Sequence, residues 1–179
     1  MSGNIECLLK SLKASNPLSD LHESVVEGNE EKVKLILESR SHKINERNVL
    51  YNGRAMLHEA VFYGHLSITK LLLQHNADPN CRTYIGKETP LHFAVIKDER
   101  KIAYELLNRG ANPNATNKYL NTPLFYAKKK GMAYLLCDRG ASLLRLNIDK
   151  KTPLDVTSEF EDKDGKELNQ FLKLKLGQP

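Results

Sequence analysis

Several features on which whole protein classes depend are scarce or missing. There are only three cysteines, Cys7, Cys81 and Cys137, with no CxxC pair, which excludes a disulfide framework or a zinc ribbon and indicates reduced thiols. No apolar run approaches the ~20 residues of a membrane-spanning helix, and the first residues lack the basic and apolar parts of a signal peptide. We therefore expect an intracellular protein, cytoplasmic or nuclear, with no membrane span.

Catalytic motifs are also missing. The sequence has no GxxxxGK[ST], GxSxG or GxGxxG, the motifs that build phosphate-binding loops and the common serine-nucleophile turn. His58 begins like a zinc-protease HExxH motif, but Phe62 stands where the second histidine would be. A calcium loop around 161–165 fails because Phe160 and Phe171 would be its first and last ligands. We expect no enzyme activity, no cofactor and no metal site.

The charge is moderate and mixed. The chain has 27 basic and 22 acidic residues and a formal net charge of +5 at pH 7, and both signs occur along its whole length. A solenoid dedicated to nucleic acid or to an acidic membrane surface would gather its basic residues in one stripe. These partners are therefore the less favoured alternative, and the positive excess favours an acidic protein surface.

One six-residue phrase recurs along the chain. It reads Thr-Pro-Leu-His-Phe-Ala at 89–94 and Thr-Pro-Leu-Phe-Tyr-Ala at 122–127. Its leucine position is occupied, at intervals of 36, 34, 33 and 30 residues, by Leu21, Leu57, Leu91, Leu124 and Leu154. Such a period of 20 to 50 residues is typical of stacked repeats.

A second phrase follows the first within each period. The residues from Gly64 to Asn80 are answered by those from Ile102 to Asn114. The phrase is Gly-Ala-x-x-Asn after a leucine pair, with Asn76 in the place of the glycine in the earlier segment. The two phrases together resemble the ankyrin repeat over roughly residues 17 to 157. The resemblance implies an all-α solenoid of stacked helix-turn-helix units with loop or β-hairpin fingers, in which each unit buries its apolar face against its neighbours.

The expected organisation follows from the period. We assign an N-terminal capping helix to residues 1–16, an ankyrin-repeat domain to 17–176 and a tail to 177–179. The repeats are expected at about 17–53, 54–87, 88–120, 121–150 and 151–176.

Local chemistry refines these expectations. Thr89 and Thr122 precede a proline and are predicted to accept a backbone amide as helix N-caps. Gly28, Gly64 and Gly131 are predicted to end the first helices in a left-handed conformation. The interval from the glycine to the following alanine is shorter in the fourth unit, which predicts a short second helix there. Asn80, Asn114 and Asn147 are expected to lead into polar turns.

Three histidines share the repeat spacing, His22, His58 and His92. One interpretation is a metal site. The resemblance implies instead that each ring bonds the backbone of the neighbouring loop, and rings in successive units lie too far apart to share one ion. The structural interpretation is favoured because the repeat itself accounts for the spacing.

Family resemblance implies that partners bind to the fingers and to the exposed, concave side of the first helices. Tyr51, Tyr84 and Tyr119 fall on successive loops, and two interpretations stay open: the rings anchor a partner, or each packs on the adjacent finger. The lysine run at 128–130 is either a solvated face or part of an acidic-partner site. The predicted partner-binding residues are Tyr51, Arg54, Phe62, Tyr63, Tyr84, Lys87, Phe93, Ile96, Lys97, Tyr119, Tyr126, Lys129 and Lys130.

The predicted function is that of a non-catalytic protein–protein interaction module, acting as an adaptor or inhibitor. Narrower alternatives are an inhibitor of Rel-type transcription factors and a microbial effector that mimics a host ankyrin adaptor. The expected partner is another protein, an acidic patch being one option, with no small-molecule substrate. We expect a monomer.

Overall fold

The computed structural model of the chain describes residues 17–39, 44–45, 47–48 and 52–177. The predicted capping helix at 1–16, together with Cys7 and Tyr51, lies outside the described residues. So do the last two residues of the predicted tail.

The described residues form five successive units, each with two helical segments. The helices are α1 Pro17–Glu27, α2 Glu30–Ser39, α3 Met56–Phe62, α4 Leu66–Gln74, α5 Pro90–Ile96, α6 Arg100–Asn108, a 3₁₀ helix Pro123–Tyr126, α7 Lys130–Asp138, α8 Pro153–Thr157 and α9 Lys163–Lys175. In the same part of the chain, the strands are β1 Arg47–Asn48 and β2 Arg54–Ala55, an antiparallel pair in one hairpin. The prediction of an all-α solenoid with hairpin fingers is confirmed.

The helices stack in two parallel rows. The first helices of the units, α1, α3, α5, the 3₁₀ helix and α8, contact one another in chain order, and the second helices, α2, α4, α6, α7 and α9, do the same. The recurring leucines lie between the rows: Leu57, Leu91 and Leu124 are at most 1% exposed. One continuous core therefore runs through the stack, because no unit could bury these side chains alone.

Turns within the units depend on a left-handed residue. Gly28 and Gly64 both have φ +75°, and a Cβ on Gly28 would lie 2.8 Å from Cε1 of His65. A side chain is thus excluded there twice, by conformation and by space. In the third unit Asp98 has φ 58° at the equivalent turn. The prediction for Gly131 was wrong: it lies inside α7 and is not among the positive-φ residues.

The fourth unit differs from its neighbours in its first helix. Helix α7 has nine residues, as many as α4 and α6, so the prediction of a short second helix was wrong. The missing residues come from the first helix, which is reduced to a four-residue 3₁₀ helix. The physical reason is burial, since α7 must keep Met132 and Leu136 in the core between α6 and α9.

Histidine rings connect successive units. The His58 Nδ1 accepts the Ala55 N–H at 3.1 Å, and its Nε2 lies 3.1 Å from the Glu88 carbonyl oxygen in the next finger. An amide can only donate, so the ring proton must be on Nε2, which donates to the carbonyl. His92 repeats the arrangement with Thr89 N at 3.2 Å and Asn121 O at 3.1 Å. The predicted ring-to-loop bond is present in both units.

The threonine caps differ from the prediction. Thr89 makes no side-chain cap bond, and its hydroxyl lies 2.9 Å from Nδ1 of His92. The Thr122 hydroxyl has no hydrogen-bond partner among the described residues. Thr152, in contrast, accepts the Asp155 N–H at 3.2 Å. Capping by the threonine hydroxyl is therefore confined, among these three, to the last unit, where an aspartate replaces the histidine.

Asparagines form a second set of bridges. Asn80 donates to the Gly110 carbonyl at 2.9 Å and accepts the Asn112 N–H at 2.8 Å. Asn114 makes the equivalent bonds to the fourth unit, and Asn45 makes them to the second. Asn147, which was predicted with Asn80 and Asn114 to lead into a polar turn, makes no such bridge and accepts amides within its own loop. The bridges hold consecutive units in register.

Replacing Leu91 by Ala should lower the free energy of unfolding by about 2 to 5 kcal/mol, because the side chain is fully buried between units. The matched change Leu154→Ala, at the same repeat position in the last unit, should cost about 1 kcal/mol, since Leu154 is only partly buried. Urea denaturation of both variants checks this. Equal losses would contradict a core that is deepest in the central units.

Stability should also depend on pH through His92. Burial lowers the pKa of His92 to about 4, whereas the unfolded chain has the ordinary value of about 6.5. Between these values the unfolded state binds the extra proton, so stability is complete above about pH 6.5 and is lost as the pH falls towards about 4. The shift in the His92 pKa corresponds to a loss of about 3 kcal/mol in the free energy of unfolding over this pH range.

The measurement is urea denaturation from pH 7 to pH 4.5, compared with a His92→Gln variant. The variant should be less stable at pH 7, where the ring bonds are intact in the parent, and should show a flatter pH dependence. An unchanged slope would show that His92 does not cause the acid sensitivity.

Candidate partner-binding face

Most of the predicted binding residues lie on one side of the stack. We call this side the first-helix face; it consists of the exposed residues of the first helices and of the fingers between units. Adjacent fingers are joined by backbone bonds from Tyr84 N to Asn52 O, Lys118 N to Gly86 O and Ile148 N to Tyr119 O, at 2.8 to 3.0 Å. The fingers therefore form one connected surface.

The centre of the first-helix face is a cluster of aromatic rings and cations, the aromatic–cation cluster. Its rings, Phe62 and Phe93, meet edge to face with centroids 6.0 Å apart. The Arg54 guanidinium lies 4.8 Å from the Phe62 centroid and 5.0 Å from that of Phe93, and the Lys97 ammonium lies 4.2 Å from Phe62. Tyr63 packs against Phe62 and is 48% exposed. The repeat thus brings together five predicted residues from two units.

A buried carboxylate lies beneath this cluster. Glu59 is 2% exposed, and its oxygens lie 3.6 Å from Arg54 Nη1 and 3.8 Å from His22 Nε2. Arg54 is therefore held between a carboxylate and two rings. Lys97 is exposed and, within the described residues, has no carboxylate within 4.0 Å. Its charge is available to a partner.

The finger tyrosines occupy different places in their loops. Tyr84 donates its amide to the preceding finger, whereas in the next finger Lys118 does so and Tyr119 follows it. The Tyr84 ring packs on Gly53, where an added Cβ would overlap it, and is nevertheless 43% exposed. Tyr119 is 47% exposed and has the Lys118 ammonium 4.8 Å from its ring centroid. Tyr84 and Tyr119 are therefore not at equivalent positions in their fingers, although their spacing in the sequence is close to the repeat period.

Two predicted residues are occupied by internal contacts. The Tyr126 hydroxyl accepts bonds from the Asn117 and Asn121 amides at 2.7 and 3.2 Å, so it braces its own finger. Lys129 pairs with Asp98 at 2.7 Å, and this hydrogen bond raises the Lys129 pKa above its usual value. Lys130 begins α7. The basic end of the face is therefore partly neutralised.

Exposed apolar side chains on the fingers were not anticipated. Ile85 is 68% exposed and Leu120 is 49% exposed with φ 60°. The available signal was an apolar residue at the tip of a polar turn, where solvent alone would favour Gly or Asn. Lys87, a predicted binding residue, has the equivalent left-handed conformation with φ 57°. Ile96 is 39% exposed at the end of α5.

The potential metal ligands and thiols of the described part of the chain are dispersed. No group of three or more His, Cys, Asp or Glu side chains there could hold a metal ion. Cys81 is buried and Cys137 is partly buried, and burial raises the pKa of the Cys137 thiol. A raised pKa makes a thiol a poorer nucleophile.

Comparison with known proteins identifies the family. A family model described as ankyrin repeats in three copies matches residues 2–83 and 21–117. The chain belongs to the ankyrin-repeat family. The ankyrin-repeat match agrees with the stacked units, the histidine bonds and the hairpin finger found in the structure.

Similar curated proteins differ widely in size. Human BCL-6 corepressor-like protein 1 is 31% identical over 77% of this chain and 8% of its own length. Human protein phosphatase 1 regulatory subunit 27 is 40% identical over 44% of this chain and half of its own. The chicken nuclear factor NF-kappa-B p105 subunit is 33% identical over 45% of this chain and 9% of its own. This ankyrin-repeat chain thus spans half or less of each of these relatives.

Among the residues that the structure describes, no helix is both long enough and apolar enough to cross a bilayer.

Replacing Arg54 by Ala should lower the free energy of unfolding by about 2 kcal/mol, because it removes a cation from a buried carboxylate. In a Glu59→Gln background the same change should cost under about 1 kcal/mol, since no buried charge is left. A double-mutant cycle measured by urea denaturation checks the coupling. Additive losses would contradict the assigned pair.

Proposed function

We propose that this ankyrin-repeat chain is a non-catalytic interaction module that acts as an adaptor or inhibitor of another protein through its first-helix face. The aromatic–cation cluster is the observation that carries the proposal. Membership of the ankyrin-repeat family supports the interaction role, and the regulatory subunit among its relatives is consistent with it.

The chemistry of the cluster favours a partner segment with an acidic group beside an apolar side chain. Phe62, Phe93 and Tyr63 supply rigid apolar area, which binds at low cost in side-chain entropy. Lys97 supplies a charge without an internal carboxylate partner within the described residues. Arg54 is already paired with Glu59, so its role is to hold the rings in place.

The fingers extend this surface. Tyr84 and Lys87 are exposed on one finger and Tyr119 on the next, and Ile96 directly precedes Lys97 of the cluster in sequence. We propose that they contact the partner at the edge of the site. Tyr51, Lys129 and Lys130 stay predictions of the sequence, and the ion pair between Lys129 and Asp98 makes Lys129 the weaker candidate.

A narrower role is that of a regulator of Rel-type transcription factors. The observation that favours it is the similarity to the NF-kappa-B p105 subunit, over less than half of this chain. Isothermal titration of the chain against a Rel-type protein tests it, and the absence of binding would remove it without affecting the broader proposal. A microbial effector that mimics a host ankyrin adaptor stays an alternative function, predicted from the sequence alone.

The cellular setting belongs to the same proposal. Cys137 forms no disulfide with another described residue, and thiols of this kind persist in reducing compartments. We propose an intracellular monomer, cytoplasmic or nuclear, that needs no cofactor and acts on no small-molecule substrate. Binding of nucleic acid or of acidic membranes is disfavoured by the mixed charge.

Affinity capture followed by mass spectrometry should return a protein partner, and titration with that partner tests the face. Tyr84→Ala should weaken binding by about 2 kcal/mol, since a half-exposed aromatic ring is the typical anchor of an interface. Lys97→Gln should reduce the salt dependence of binding, because exposed charges are screened over about 10 Å at 0.1 M salt.

The control is Leu35→Ala, which removes a side chain that is 67% exposed on the second helix of the first unit. It should leave the affinity unchanged. If Tyr84→Ala lowers the melting temperature and leaves binding intact, the ring only braces Gly53 and the proposal for the fingers fails.

A further inference from the structure

A groove runs across the second helices, on the side of the stack formed by α4, α6 and α7. We call it the second-helix groove. Its volume is about 680 Å³, and its lining includes Leu66 and Leu135 together with Tyr104 and Tyr134. It shares none of its lining residues with the aromatic–cation cluster. The fold's core does not require aromatic side chains here, because both tyrosines are about half exposed, at 47% and 52%.

Both tyrosine rings are held in place by neighbours. The Arg139 guanidinium lies 5.0 Å from the Tyr104 centroid, and Tyr134 packs against Phe171 with centroids 6.2 Å apart. Arg139 is itself anchored, since it donates to Asn108 Oδ1 at 2.7 Å. Rings that are rigid before binding lose little entropy on binding, and exposed rigid tyrosines are typical of binding hot spots.

The charges around the groove are unbalanced. Its two carboxylates are occupied internally, Glu105 by Lys70 at 3.3 Å and Asp138 by Arg139 at 3.6 Å. Arg100 and Lys101 are exposed, and neither has a carboxylate within 4.0 Å in the described part of the chain. The groove is therefore electropositive at the end where α6 begins.

The helix dipole does not favour cations at this position. Arg100 and Lys101 lie in the first turn of α6, which contains no acidic residue, and cations at a helix N-terminus are unfavourable by about 0.3 to 1 kcal/mol. Arg100 Nη1 also lies 3.3 Å from the point where a Cβ on Gly131 would be, in the first turn of α7. Arg100, at the start of α6, therefore also lies beside the N-terminus of α7.

We propose that the second-helix groove is a second protein-binding site, which takes a short acidic segment carrying a leucine-like side chain. The apolar side chain would lie between the Tyr104 and Tyr134 rings, and the carboxylates would face Arg100 and Lys101. Helices pack about 10 Å apart, so three helices span about 20 Å, which an extended segment of about six residues covers.

With this second site, the chain would bind two partners rather than one. The first-helix face and the groove lie on different helix rows, so occupation of one leaves the other open. The chain then bridges two proteins, whereas a simple inhibitor needs only the first-helix face.

The test uses a synthetic peptide of about six residues in which glutamates flank two leucines, titrated into the full chain and followed by NMR. Amide shifts should change at Lys101, Tyr104 and Tyr134 and stay unchanged at Phe93 and Lys97. The matched peptide with glutamines in place of the glutamates should bind at least about tenfold more weakly, because the charge contacts are lost.

Variants separate the groove from the fold. Tyr104→Ala should weaken the peptide about tenfold, Tyr104→Phe should retain most of the affinity, and Lys101→Gln should weaken it several-fold. Lys34→Gln, at an exposed lysine of α2 that does not line the groove, is the control and should leave the peptide affinity unchanged. Circular dichroism confirms that each variant is folded.

Three results would overturn the proposal. They are the absence of saturable binding at about 1 mM peptide, shifts that map to the first-helix face, and equal binding of the glutamine peptide. Each leaves the proposed function of the first-helix face intact, because that function is measured with a captured partner and with Tyr84 and Lys97 variants.

Discussion

A neutral imidazole that accepts a hydrogen bond at one nitrogen and donates one at the other holds this stack in register. His58 and His92 each take an amide from their own unit and give a proton to a carbonyl of the next finger. The bridge requires the uncharged ring, and burial lowers the pKa of His92 to about 4, which keeps it uncharged near neutral pH. The positions of the fingers, and hence the surface they present, follow from this bond.

The stack changes where the bridge is missing. In the fourth unit Phe125 stands in the histidine position, the first helix shortens to one 3₁₀ turn, and the Tyr126 hydroxyl braces the finger through Asn117 and Asn121 instead. In the last unit Asp155 accepts both the amide and the hydroxyl of Thr152, and those bonds hold its pKa below the usual value. A carboxylate can cap a helix but cannot donate to another finger. Asp155 in place of the histidine therefore suits α8, which has no further finger after it among the described residues.

Two rows of helices give the chain two surfaces of different chemistry. The first-helix face carries rings, with Arg54 and Lys97 beside them, above a buried glutamate. The second-helix groove carries Tyr104 and Tyr134 with cations at one end. The repeat supplies the scaffold for both, while the residues that make each surface distinctive lie outside the repeated phrases or, like Glu59 and Phe93, at their variable position. Recognition thus varies without altering the core.

The sequence by itself determined the architecture, because recurring leucines, prolines and histidines at a near-constant period impose the same helix pair in each unit. It also predicted the first-helix face, because Phe62, Phe93 and Lys97 follow the recurring leucines within about two helical turns. It did not determine which helix absorbs a deletion, and Gly131 was misassigned, because burial of Met132 and Leu136 between neighbouring units decided that α7 stays long. Nor could spacing reveal that Tyr84 and Tyr119 are not equivalent or that Tyr104, Tyr134 and Arg139 meet in a groove. Those arrangements depend on contacts between units, which only the tertiary structure decided.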